Sequence, residues 1–192
     1  MNKKYELLKD DTKTHCGITL YRIKSLVAIG LYVSVGDLGG YVQSEKNLDC
    51  AGDAWVSGNA RVSGNAWVSG NARVYGNAQV YGNAWVYGNA RVYGNALIIT
   101  YTDIQVFQGV GSENGTLTAY ITKEKTIEIT RGCFIGSLQE FRDAVNNKHG
   151  ADSKIGWSYL GIANLIEHWF SDAPEKGVQS VSVAAQLIER EE

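Results

Sequence analysis

One stretch dominates the apolar pattern of this chain. From Val56 to Ala96 a Val recurs every six positions, an Ala follows four later, and Gly-Asn separates them. The units read VSGNAR, VSGNAW, VSGNAR, VYGNAQ, VYGNAW, VYGNAR and VYGNAL, with a weaker CAGDAW from Cys50. A fixed short period over this length marks a repeat architecture. Six is not close to a multiple of 3.6, which excludes a helical repeat and suits a short strand plus a turn. Val is stiff at χ1 and fits a pleated surface. Gly and Asn tolerate positive φ, so Gly-Asn is expected at each corner. Asn77 and Asn83 are accordingly expected to hold backbone that β-branched residues reach only at a cost. Val and Ala are predicted to point inward.

The flanks carry other periods. Tyr5 to Leu8 reads as a strand, Asp10 to Cys16 as a polar turn, and Ile18 to Val27 as a second strand. Leu20, Arg22 and Lys24 are assigned to one face of it, Tyr21 and Ile23 to the other. The Gly36–Leu48 stretch, GDLGGYVQSEKNL, lacks the Lys-Ser/Thr and the helix that a phosphate-cradling loop needs, so it reads as a lead-in that caps the first coil. After Ala96 the repeat decays, with Ile98, Ile104 and Val106 expected to continue the coil. Thr116–Thr122 and Thr126–Thr130 predict a β-hairpin around Lys123-Glu124-Lys125, with Leu117, Ala119, Ile121, Ile127 and Ile129 on one face. Ser137 to Glu140 forms a capping box before the stripe Leu138, Phe141 and Val145. Ile155, Tyr159, Ile162, Ile166 and Trp169 form a second helical stripe. Pro174 closes that helix region, and Val178 to Ile188 is expected as a third helix or a late strand. The fold class is mainly β, with modules at 1–49 (an N-terminal β cap), 50–108 (repeats) and 109–192 (a C-terminal α+β region).

Composition narrows the chemistry. The chain has 192 residues, 44% hydrophobic, with net charge −2. No global basic field recruits nucleic acid, and no duplex partner is expected. The repeats carry three Arg and one Asp, whereas residues 98–192 carry eight Lys or Arg against thirteen Asp or Glu. Three scattered cysteines, Cys16, Cys50 and Cys133, have no metal-ligand spacing and fit a reducing compartment. The N-terminal MNKKYELLKDD has no apolar signal core, and no apolar run spans a membrane. No metal or cofactor is expected.

The repeats resemble the hexapeptide-repeat family, whose fold is the left-handed parallel β-helix. That resemblance implies a triangular prism with about 18 residues per coil and about three coils here. It places Trp55, Arg73 and Arg91 in one outward row, Trp67 and Trp85 in another, and Arg61, Gln79 and Leu97 in the third. Ser57, Tyr75 and Tyr93 then stack beside Val, as do Ser63 with Tyr81 and Ser69 with Tyr87. The wider arrangement, from KYELL and GDLGGYVQSEKNL to RGCFIGSLQEFRDAV and NKHG, is similar to phage and prophage hexapeptide proteins of unassigned activity. It implies action in the cytoplasm of an infected bacterium.

Family members that are acyltransferases use a catalytic His. Here His15, His149 and His168 all lie outside the repeats, and His149 is the least implausible base. Thr ladders for ice and acidic rows for DNA mimicry are missing from the repeats. Together with the surface chemistry, the resemblance to phage hexapeptide proteins implies a non-enzymatic phage accessory protein, a homotrimeric binding module. It would counteract a host process such as anti-phage defence by sequestering a phosphate-bearing nucleotide or by binding a host protein. The alternatives are an acyltransferase and a purely structural trimerisation module. The candidate ligand site comprises Arg73, Arg91, Trp55, Tyr75 and Tyr93, because guanidinium groups pair with phosphate and aromatics stack on bases. The candidate subunit interface comprises Trp67, Trp85, Tyr81 and Tyr87.

Overall fold

Each repeat contributes one two-residue strand: β4 (Trp55–Val56), β5 (Arg61–Val62), β6 (Trp67–Val68), β7 (Arg73–Val74), β8 (Gln79–Val80), β9 (Trp85–Val86), β10 (Arg91–Val92) and β11 (Leu97–Ile98). The computed structural model describes residues 3–111 and 113–171. It winds these strands into a β-solenoid of about three turns. Parallel partners lie one coil apart, in the rows Trp55–Arg73–Arg91, Arg61–Gln79–Leu97 and Trp67–Trp85. The Val of every unit and the Ala between them are at most 1% exposed, so the prism is filled by small aliphatic side chains. Full burial of a Val contributes about 1.5–3 kcal/mol, and the repeat multiplies it.

The corners differ from expectation. The glycines take positive φ, from +57° at Gly94 to +68° at Gly70, whereas no repeat asparagine does. Corner backbones of successive coils approach closely, and a Cβ on Gly70 would stand 3.1 Å from Gly88 N. The asparagines serve differently: Asn65 Nδ2 donates to Asn83 Oδ1 and Asn71 Nδ2 to Asn89 Oδ1, both at 3.1 Å. Asparagine is a ladder residue here and glycine is the corner residue.

Both ends are capped. Successive coils are joined by bonds such as Trp55 N to Ala72 O, and first-coil carbonyls face the N-terminal module, where Ala60 O accepts from Tyr41 N. Asn47 Nδ2 donates to Gly64 O and Ala66 O, and Lys4 Nζ to Gly52 O and Ala54 O. Burial holds the Lys4 ammonium below the usual lysine range. The last coil leaves both kinds of group to its cap: Thr130 Oγ1 donates to Arg91 O at 2.9 Å and Lys123 N to Asn95 O at 3.0 Å. Thr118 Oγ1 accepts from Arg91 N, and Tyr120 Oη from Tyr93 N.

The N-terminal module is a hairpin, β1 (Tyr5–His15) and β2 (Ile18–Ser25), joined to β3 (Leu38–Val42), which pairs with β5 and extends one solenoid face. The expected turn at Asp10–Cys16 is strand instead. A bulge between Leu8 and Thr12 lets β1 reach His15, and the turn is Cys16–Gly17 at φ +49° and +75°, the positive-φ pairing that matches hairpin twist. Leu20 and Ile23 were assigned opposite faces, yet both are buried. The register against β3 shifts between Arg22 and Lys24. Gly39 and Gly40 pack on the first coil, where a Cβ would meet Val56 O and Ala60 O at 2.7 Å.

Beyond β11 the chain leaves the solenoid. Ile104 and Val106 lie on β12 (Ile104–Val110), which pairs antiparallel with β13 (Gly115–Ile121) instead of forming another coil. β14 (Ile127–Arg131) and β15 (Phe134–Ser137) complete this sheet. The hairpin of β13 and β14 turns at Lys125, φ +59°. Leu117, Ala119 and Ile129 form a second core with α1 (Leu138–His149) and α2 (Lys154–Trp169). Ser137 caps α1 in a box with Glu140. Hydrogen bonds from the Ser137 backbone and hydroxyl hold the Glu140 carboxyl below the usual range. No described helix is long and apolar enough to cross a membrane. Pro174 and Val178–Ile188 lie outside the described residues.

Candidate functional site

The loop between β2 and β3 folds over the Trp55–Arg73 row. Ile29 and Val33 pair backbone to backbone, Ile29 N to Val33 O at 2.9 Å, and Gly30 turns between them at φ +54°. This short turn sets the Tyr32 ring against Arg73, whose guanidinium lies 3.9 Å from the ring centroid. A cleft of about 210 Å³ opens between the loop and the solenoid. Ile29, Tyr32, Val33, Asp37 and Leu38 form its cap side, and Asp53, Trp55, Ser57, Arg73 and Tyr75 its solenoid side.

Arg73 is held in place. Its Nη1 donates to Tyr75 Oη at 3.2 Å, and no carboxylate among the described residues comes within 4.0 Å of it. Asp53 is nevertheless close: a Cβ on Gly30 would stand 3.2 Å from Asp53 Oδ2 and 3.4 Å from Arg73 Nη2. The cleft therefore offers a cation and an acid on one wall, with aromatic rings around them. Asp37 is already engaged, accepting from Ser34 N at 2.7 Å.

The five candidate ligand residues separate into two places. Trp55, Arg73 and Tyr75 line the cleft. Trp55 is only 4% exposed and meets Tyr5 edge-on at 6.5 Å, so it is a floor rather than a free stacking platform. Arg91 holds the register expected beside Arg73, but its Nη1 donates to Gly132 O, away from the cleft. Tyr93 stacks on Tyr75 at 4.9 Å and 11°, outside the lining. Tyr32 and Asp53 were not among the candidates. The signal for the loop was its apolar run LVAIGLYVSV outside any predicted repeat, and Leu31 is 94% exposed.

The candidate interface residues also separate. Trp67 and Trp85 meet edge-on at 6.1 Å and are exposed. With Tyr87, Tyr101, Ile104 and Trp169 they line a groove of about 580 Å³. Tyr81 belongs elsewhere, with its ring 6.3 Å from His15 at the hairpin tip. His15 Nδ1 in turn lies 3.3 Å from Arg61 Nη1. His149 sits in the last turn of α1, 5.8 Å from the Tyr159 ring. Among the described residues no group of three or more His, Cys, Asp or Glu is placed to hold a metal.

The family model described as the YdcK beta solenoid repeat matches residues 54–70, 66–82, 78–92 and 84–98. No curated protein matches the chain. The matches cover the solenoid and neither flank, so the repeat stretch is similar to that β-solenoid family, and the cap loop that shapes the cleft lies outside the likeness.

Proposed function

We propose that this chain is a non-enzymatic binding module that captures a phosphate-bearing nucleotide in the Arg73 cleft. The observation that carries this reading is the Arg73 guanidinium, placed over the Tyr32 ring, tied to Tyr75 and, among the described residues, without a carboxylate within 4.0 Å. A guanidinium placed over an aromatic ring and tied to a hydroxyl has less rotamer freedom left to lose, and such a group pairs with phosphate oxygens bidentately. Tyr32 and Tyr75 offer ring faces and edges to a base, and Asp53 accepts from a ribose hydroxyl or a base N–H. At about 210 Å³ the cleft is below the ~300–1,000 Å³ of drug-sized ligand sites, so it encloses only part of a nucleotide. In this account the protein is a phage accessory factor in the bacterial cytoplasm that withdraws a nucleotide signal from a host defence process. Sequestration needs affinity and no turnover.

The test is to release small molecules from purified full-length protein by heat and identify them by mass spectrometry. A nucleotide should come from the wild type and be missing from Arg73→Ala. A wild-type preparation free of nucleotide, with no binding on adding a nucleotide panel, would replace this reading with host-protein capture.

A second reading rests on a different observation. Trp67, Trp85, Tyr87 and Tyr101 leave aromatic surface exposed on one face, which suits the seam of a homotrimer. The two readings are compatible, since the cleft and the aromatic groove share no residue.

A further inference from the structure

A second cleft lies in the C-terminal module, between the β14–β15 turn and the two helices, with a volume of about 480 Å³. Its inner wall is aromatic, with Phe134 partly exposed and Phe141 and Tyr159 behind it at only 3% and 6% exposure. Phe134 meets Phe141 at 5.5 Å and 63°, and Phe141 meets Tyr159 at 5.7 Å and 86°. Such a wall accepts a flat apolar ring.

Its rim is cationic. Arg131 lies across Gly115, where an added Cβ would come 2.5 Å from the guanidinium carbon. Arg131 Nη2 donates to Val110 O at 2.9 Å, its Nε is buried without a hydrogen-bond partner among the described residues, and its Cζ lies 5.9 Å from the Tyr159 ring centroid. Lys148 and His149 stand across the cleft in the last turn of α1. Basic residues there complement the helix end, but that role does not account for Arg131, which comes from a strand. Neither Arg131 nor Lys148 is within 4.0 Å of a carboxylate among the described residues. Among the described residues Glu113 is the one acid on the rim.

We infer that this cleft binds a small aromatic carboxylate, with the ring against Phe134, backed by Phe141 and Tyr159, and the carboxylate toward Arg131 and Lys148. The pairing follows from the two halves of the site. Apolar walls favour a ring but give no direction, and an arginine without an acid partner favours a planar anion that can take two hydrogen bonds. A neutral ring would leave the rim charges uncompensated. The site stands apart from the Arg73 cleft and does not depend on that reading.

The experiment uses the full chain and 2-naphthoate as probe, titrated by calorimetry at low and moderate salt. The neutral analogue 2-naphthamide, Arg131→Ala, Lys148→Glu and Arg73→Ala serve as comparisons. Saturable 2-naphthoate binding is expected, weaker with added salt, and at least tenfold weaker for 2-naphthamide. Arg131→Ala and Lys148→Glu should each lose at least tenfold, and Arg73→Ala should match the wild type. Arg131 also holds Val110 O, so its variant carries a folding risk. Lys148 is exposed and its side chain makes no hydrogen bond among the described residues, so Lys148→Glu keeps the test decisive. The inference is overturned if 2-naphthoate does not saturate, if 2-naphthamide binds equally well, or if Lys148→Glu binds like the wild type.

Discussion

Gly76→Ala and Asn77→Val, two neighbouring substitutions, separate the corner residue from its partner. Gly76 has φ +67°, and a Cβ there would stand 3.1 Å from Gly94 N and 3.3 Å from Gly94 O. Left-handed backbone costs a residue with a Cβ roughly 1–2 kcal/mol. Relieving contact with a backbone held in the next coil adds about 1 kcal/mol of angle strain. Alanine also restricts the unfolded chain, which returns about 0.4–1 kcal/mol. The net loss for Gly76→Ala is about 2 kcal/mol. Asn77 is exposed, has no positive φ, and its side chain makes no hydrogen bond among the described residues. Asn77→Val should therefore cost no more than about 0.5 kcal/mol, as surface changes do. In thermal melts a protein of this size moves about 2–4 °C per kcal/mol, so Gly76→Ala should lower Tm by about 4–8 °C and Asn77→Val by under about 2 °C. The reverse order would show that asparagine, not glycine, carries the strained backbone.

Three further outcomes follow from the caps and the exposed face. Tyr120→Phe removes the acceptor for Tyr93 N and the donor to Glu128 Oε1 at a fully buried position, so urea melts should show a loss of about 1–3 kcal/mol; no loss would remove Tyr120 from the cap. Glu140 has a depressed carboxyl pKa, so its contribution is complete above the ordinary glutamate value and disappears as pH falls through the folded value. Stability measured from pH 6 to pH 3 should therefore fall less steeply in Glu140→Gln, and an equal slope would discount the capping box. The double change Trp67→Ser with Trp85→Ser should shift the mass in light scattering toward monomer, and an unchanged mass would free this face from assembly.

The solenoid was legible because a six-residue period fixes strand, corner and inward face together, and Val56, Val74 and Val92 fall where that period puts them. Its corner chemistry was half legible. Gly and Asn both tolerate positive φ, and sequence cannot say which of two adjacent residues takes it. The answer came from the next coil, whose backbone leaves no room for a Cβ at glycine. The expectation that Ile104 and Val106 would continue the coil failed for a related reason, since apolar alternation fits an antiparallel edge as well as a coil. The cleft was legible only on its solenoid side. Arg73, Trp55 and Tyr75 share a row by arithmetic, whereas Tyr32 reaches Arg73 through a three-residue turn at Gly30 that carries no period. Arg91 was drawn away by Gly132 O, a contact between segments 41 residues apart in sequence.

The central claim is that Arg73, and not the arginine row as a whole, holds a nucleotide phosphate. The direct measurement is calorimetric titration of guanosine and adenosine 5′-monophosphates into the wild type, Arg73→Ala and Arg91→Ala. The account predicts saturable binding of at least one nucleotide, weakened by about 1.5–3 kcal/mol in Arg73→Ala, the range for a charge-assisted hydrogen bond, and unchanged in Arg91→Ala. Binding that survives Arg73→Ala, or no binding of either nucleotide to the wild type, would contradict it.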